Sequence, residues 1–339
     1  MKKILSVLIL LCLFGCSLFE EPKDPLEEIG YSLDDVQIIK TFPENIQTKF
    51  LNEYNSTYID LMHSDGFVPN YLDDYLKYYD MFDKTKLFYL VNNKIVNETN
   101  SLKLSELYNN EYYLYKNEDL YLEYLNNYDS VRECIEVINT KRYLDYYTEI
   151  ENTDLSKDYL MLINKYHALN SDFEPDDLVD IDSHYGRGRT RAAVYEAYKR
   201  LADDAFNLGY DIWICSAYRD YNLQYGLYQG YLEDEGGNQA IVDTYSARPG
   251  HSEHQSGLCL DLYDSYYGMD NFGYSEASKW INENCYKYGF IIRYTAEKEK
   301  VTGYQAEPWQ IRYVGSSETA KDIMDRGITF DEYYACFVE

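Results

Sequence analysis

Three side chains with the chemistry of a hydrolase stand in two short stretches near the C-terminus. His254 and Asp261 lie in Ser252-Glu253-His254-Gln255-Ser256-Gly257-Leu258-Cys259-Leu260-Asp261, and Glu307 lies in Ala306-Glu307-Pro308-Trp309-Gln310-Ile311-Arg312. Histidine and carboxylate ligands, an open position for water and a glutamate outside the ligand set make up a catalytic zinc site. Read as a strand, Leu258–Leu262 turns its three leucines to a core and sets Cys259 and Asp261 on the other face. Gly257 permits a tight turn just before it, bringing His254 round toward Asp261. In the second stretch Trp309, Ile311 and Tyr313 share one face, Gln310 and Arg312 the other, and Glu307 stands at the start. Two such strands side by side bring His254, Asp261, Gln310 and Glu307 to one point. The plainer alternative is a hydrogen-bonded His254–Asp261 pair with Glu307 as a surface charge.

The elements that must position these residues begin near Asp158. Tyr159–Lys165 reads as a strand, Arg189–Leu208 as a helix ending at Gly209, Tyr210–Cys215 as a strand and Asn222–Leu232 as a helix. This mixed order predicts an α+β domain over 156–339, with a small, mainly antiparallel sheet flanked by helices. Residues 31–155 show apolar and aromatic residues at helical spacing and form a mostly helical N-terminal module. It holds a weak repeat: Asp73, Tyr75, Leu76, Tyr78, Val91 and Asn93 recur as Asp119, Tyr121, Leu122, Tyr124, Val137 and Asn139. Each copy reads as a helix, an Asp-marked turn and a short β-like run.

Residues 1–15 read as a signal peptide, with Lys2 and Lys3 ahead of an apolar run too short to span a bilayer. The run closes on Leu13-Phe14-Gly15-Cys16, which resembles a lipoprotein lipobox with Cys16 as the lipidated residue; an ordinary cleaved signal is the alternative. Residues 16–30 are polar and contain prolines, which suits a tether. These features predict a lipoprotein on the extracytoplasmic face of a bacterial cell membrane, anchored at Cys16. The formal charge of −28 over 339 residues argues against a nucleic-acid partner. Past Cys16, Cys134, Cys215, Cys259, Cys285 and Cys336 are odd in number and show no CxxC spacing, so no disulfide framework is indicated. The 41 tyrosines suit either glycan platforms or ordinary core and surface use. Monomer is the default state.

At Ser252, His254, Gly257 and Asp261 the chain resembles the VanY-like D-alanyl-D-alanine carboxypeptidases, which share a fold with lysostaphin-type peptidases and the hedgehog signalling domain. The resemblance extends to Ser216-Ala217-Tyr218-Arg219, to Ser246-Ala247-Arg248-Pro249-Gly250, to Tyr288-Gly289-Phe290, to Thr302-Gly303-Tyr304 and to Glu307-Pro308-Trp309 with Arg312-Tyr313-Val314-Gly315. It implies a zinc (Zn2+) carboxypeptidase acting on peptidoglycan stem peptides. His254 and Asp261 would be metal ligands and Glu307 the general base and acid. Arg219 would hold the oxyanion or the substrate carboxylate, and Ser246 would stand near that carboxylate. At the third ligand position the family has a histidine and this chain has Gln310, whose amide oxygen is a poorer zinc donor. Three readings stand open: a weakly held but working zinc, a pseudopeptidase that binds stem peptides without metal chemistry, or a substitute ligand. His251, His63, His167 and His184 are read as structural or solvated.

Overall fold

In a computed structural model, which describes residues 22–96, 101–269 and 271–339, the chain gathers into two compact units. One comprises residues through Asn110 together with Leu125–Asn127, and the other comprises Glu111–Tyr124 and Tyr128–Glu339. The signal segment and Cys16 lie outside the described residues. The tether predicted over 16–30 does not run its full length: Pro25–Ile29 is a helix, capped by Asp24 and holding a buried Leu26. A proline in the first turn and an aspartate just before it are start signals for a helix.

The first unit is helical throughout its described elements, and Phe50, Leu61, Leu72, Tyr75, Tyr78, Leu87 and Leu104 are buried in it. The sequence repeat has a structural counterpart. Tyr75 Oη accepts from the Val68 amide at 3.2 Å, and its equivalent Tyr121 accepts from the Leu114 amide at 3.3 Å. The stretches expected to be β-like are helices instead, Lys84–Asn92 and Val131–Asn139, each begun by a side-chain cap from Asp83 or Ser130. The caps satisfy free amides at the helix start, and four-residue spacing of the apolar groups does the rest. The second copy belongs to the second unit, so the division falls near residue 110, inside the module expected over 31–155. Asn139 shows why: its amide donates to Tyr112 O, and Arg132 pairs with Glu332 at 2.9 Å.

The second unit is built on a four-stranded antiparallel sheet in the order β5-β6-β8-β7. Its strands are β5 (Ile212–Ser216), β6 (Cys259–Asp264), β7 (Phe290–Tyr294) and β8 (Glu307–Tyr313). Two small pairs stand beside it: β1 (Glu151–Asn152) with β2 (His167–Ala168), and β3 (Leu178–Asp180) with β4 (Arg189–Arg191). Leu258, Leu260, Leu262, Ile311 and Tyr313 form the core face. They pack with Val194, Ala197, Tyr198 and Leu201 of the helix Ala192–Asn207. The expected α+β class and inward-facing leucines are therefore what the fold contains.

Tyr159–Lys165 is not the strand its apolar run suggested. Residues Leu155–Leu160 form a 3₁₀ turn, and the Tyr159 and Met161 carbonyls accept from the Arg312 guanidinium at 3.0 and 2.8 Å. A buried arginine thus replaces the strand partner those carbonyls need. Leu260 is fully buried at the centre of the sheet. Leu260→Ala is expected to destabilise the second unit by about 2–5 kcal/mol, read from chemical denaturation of the full chain.

Candidate active site

The site begins with a turn. Glu253–Ser256 is a 3₁₀ turn closed by Gly257 in the left-handed region, at φ 66°. A Cβ at Gly257 would stand 3.1 Å from both Arg191 Cγ and Leu178 Cδ2, so glycine is favoured by the left-handed conformation and by the close packing around it. The turn delivers His254 Nε2 to 3.2 Å from Asp261 Oδ2. His254 Nδ1 lies 2.6 Å from the Ala217 carbonyl, an acceptor that assigns the ring proton to Nδ1 and leaves Nε2 bare.

Two electron-pair donors therefore face each other. Neither His254 Nε2 nor Asp261 Oδ1 has a hydrogen-bond partner, and both are buried. The short Nε2–Oδ2 separation is an ion pair only if a proton is added to the ring. The assigned tautomer instead leaves room for a cation between the two groups, because the 2.6 Å bond to Ala217 already uses the ring proton. Burial pushes the Asp261 carboxyl up; a protonated His254, with Arg219 and Ser216, outweighs it and holds the group below the usual carboxylate range, and with the ring neutral only Arg219 and Ser216 act in that direction.

Register supplies the next residue. Asp261 pairs directly with Gln310 across β6 and β8, so the two side chains share a face of the sheet and Gln310 is buried beside the site. Asp261, Gln310, Glu307, Arg219 and Ser246 all line one cavity of about 310 Å³. The Arg219 Nε–H is buried without an acceptor. Glu307 opens β8, at the start of the stretch where the sequence set it. Burial, with Asp261 adding to it, raises the Glu307 carboxyl to about 8, against the pull of Arg219 and Arg293.

Each residue expected at the site is thus brought to it. The remaining histidines are not. His63 pairs with Asp35, His251 bonds the Asn164 carbonyl at 2.7 Å, and His167 bonds Asn164. Among the described residues there is no group of three or more His, Cys, Asp or Glu that could hold a metal, so no substitute ligand emerges for Gln310.

Sequence reasoning missed Gln224, Tyr231, Tyr245, Met269 and Tyr304, which also line the cavity. Gln224 and Tyr231 stand seven residues apart on the helix Tyr221–Asp234, a spacing that puts both on one face. It missed Lys165 too, which is buried over the Tyr304 ring at 3.6 Å and bonded to the Asp243 carbonyl. Burial pulls its ammonium down to about 7. Arg248 holds Asp243 at 2.7 Å, which braces the loop bearing Ser246.

The raised Glu307 carboxyl has a consequence for the metal-free protein. Its folded pKa lies above the unfolded value, so the stability it contributes is complete below about pH 4.5 and is lost as pH rises through about 8. Glu307→Gln removes the buried charge. It is expected to leave the unfolding midpoint unchanged near pH 4 and to raise stability by a few kcal/mol, to order of magnitude, above about pH 8. Thermal unfolding across pH in the presence of a chelator checks this.

Comparison with known proteins places the site in a family. The family model described as VanY, D-alanyl-D-alanine carboxypeptidase, matches residues 187–316. A D-alanyl-D-alanine carboxypeptidase of Enterococcus faecium is 32% identical over 236 residues, covering 65% of this chain and 73% of that protein. The structure of the LdcB LD-carboxypeptidase, solved for the basis of peptidoglycan recognition, is similar with a TM-score of 0.50 and 33% identity, covering 56% of this chain and 92% of that one. A mutant of the vancomycin-resistance D,D-pentapeptidase VanY, in complex with Zn(II), is 28% identical with a TM-score of 0.46, covering 52% and 98%.

Proposed function

The chain belongs to the VanY family of D-alanyl-D-alanine carboxypeptidases, and from that premise we propose that it removes the terminal D-alanine of peptidoglycan stem peptides with zinc as cofactor. The observation that carries the reading is the pair of bare, buried donors, His254 Nε2 and Asp261 Oδ1, with Asp261 lining one cavity together with Glu307 and Arg219. These residues fit a divalent cation. His254 and Asp261 would hold it, and Gln310 would add a neutral amide oxygen from across the strand pair. When bound there, zinc would supply Lewis-acid chemistry, polarising a carbonyl and lowering the pKa of water from about 16 to about 7.

The chain's own groups do the rest. Arg219 and Ser246 take the carboxylate of the terminal D-alanine and set the peptide's register in the cavity. Glu307 takes a proton from the attacking water as its oxygen bonds to the penultimate carbonyl carbon. As the C–N bond breaks, Glu307 returns that proton to the departing amine. Arg219 also faces the developing oxyanion, an interaction whose loss costs roughly 3–4 kcal/mol when a single donor is removed from such a site.

A second reading rests on Gln310: with a neutral third donor, the same cavity binds stem-peptide ends without metal chemistry. Zinc content and D-alanine release from a pentapeptide, with and without a chelator, separate the two. Stoichiometric zinc and chelator-sensitive release support the enzyme, whereas peptide binding with neither supports the second reading. Gln310→His is expected to tighten zinc by at least about tenfold and to raise turnover, since imidazole is the better donor.

The setting of this activity is also proposed. Lys2-Lys3, the apolar run and Leu13-Phe14-Gly15-Cys16 support a lipoprotein held by Cys16 on the extracytoplasmic face of a bacterial membrane. Among the described residues no helix is long and apolar enough to cross a membrane. Cys16→Ser is expected to abolish incorporation of labelled palmitate and to shift the protein out of the membrane fraction; unchanged fractionation would contradict the anchor.

A further inference from the structure

On the sheet face that carries Asp261, two large aromatic rings stand uncovered. Tyr263 is two residues beyond Asp261 on β6, hence on the same face and about 7 Å further along the strand. Its direct cross-strand partner on β5 is Trp213. Trp213 is 41% exposed and Tyr263 36%, while Ile212, Ile214 and Leu262 on the opposite face are buried. Together with Arg187 and Cys215 the two rings line a shallow cavity of about 290 Å³. Cys215 joins the linings of this cavity and the catalytic one: its Sγ donates to the Asp261 carbonyl at 3.3 Å and lies 3.5 Å from Met269 Sδ.

Polar groups stand beside the rings, and one of them holds the Trp213 indole in place. Trp213 Nε1 donates to Asp211 Oδ1 at 3.1 Å, and Ser265 Oγ donates to Asp211 Oδ2 at 3.0 Å. Arg187 Nε donates to the Cys215 carbonyl at 3.0 Å. An aromatic floor edged by a carboxylate, a hydroxyl and a guanidinium matches a pyranose, whose C–H face is apolar and whose rim is hydroxyl. An apolar peptide segment would leave that polar edge unused.

We propose that Trp213 and Tyr263 form a subsite for an amino-sugar ring of the glycan strand that bears the stem peptide. The inference rests on the carboxypeptidase reading for its substrate, and the subsite extends that substrate's footprint past the catalytic cavity. It assigns some of this chain's surplus aromatic residues to recognition of the sugar.

The test uses the zinc-loaded full chain and two substrates, a free pentapeptide and the same pentapeptide on a GlcNAc–MurNAc disaccharide. Trp213→Ala and Tyr263→Ala are expected to lower kcat/KM on the glycosylated substrate by roughly tenfold, with the free peptide unchanged and Trp213→Phe retaining most of the activity. Equal rates for variant and wild type on the glycosylated substrate overturn the proposal, as does an equal loss on both substrates. A second arm needs no turnover: the disaccharide alone should quench tryptophan fluorescence saturably in the wild type and not in Trp213→Ala. Absence of saturable binding at millimolar disaccharide overturns the subsite even in an active enzyme. A wild type inactive on both substrates refutes the carboxypeptidase reading, and the fluorescence arm still decides the subsite.

Discussion

The position of His254 depends on a carboxylate buried one residue away. Glu253 is fully enclosed and accepts from Arg293 Nε at 2.8 Å, while Arg293 also reaches Asp331 at 2.7 Å. The Arg312 guanidinium lies on the other side of Glu253 and ties down the Tyr159 and Met161 carbonyls. Isolated charges would not persist at such depth, and removing one member of a buried set leaves the others uncompensated, at a cost of about 3–5 kcal/mol. The lattice therefore resists the loss of any one member. It fixes the turn from Glu253 to Ser256, and the turn fixes which way the imidazole points. The guanidinium of Arg293 is held well above its ordinary value despite burial, because Asp331 and Glu253 stabilise its charge.

From that turn outward the site follows by geometry. Gly257 reverses the chain, β6 presents Asp261, and the β6–β8 register sets Gln310 opposite it. The Ala217 carbonyl selects the imidazole tautomer, which is how an outer partner orients a ligand. Glu307 and Arg219 come from separate elements and meet Asp261 and Gln310 in the lining of one cavity. The resulting chemistry is asymmetric: one imidazole, one carboxylate and one amide, with an acid of raised pKa alongside.

Much of this was legible in the sequence, and the residues show why. Alternation in Leu258–Leu262 and Trp309–Tyr313 located both site strands and their inner faces, because the side-chain period of a strand is fixed by its backbone. Gly209 and Gly257 marked chain reversals, at φ 93° and 66°, that other residues resist. The failures have a different origin. Tyr159–Lys165 looked like a strand because local apolarity cannot report that Arg312, far along the chain, takes its carbonyls. Val91 and Val137 looked β-like because valine favours strands, yet the capped helices around them prevailed. The Lys165 cage and the Glu253 lattice join residues distant in sequence, and no spacing rule reaches them.

The central claim is that His254, Asp261 and Gln310 converge on one divalent cation. A crystal structure of zinc-loaded protein, with anomalous scattering recorded at the zinc edge, tests it most directly. The account predicts one strong peak about 2.0–2.2 Å from His254 Nε2 and an Asp261 oxygen, with the Gln310 amide oxygen turned toward it. A map with no peak there, and with His254 Nε2 hydrogen-bonded to Asp261 as an ordinary ion pair, would contradict it.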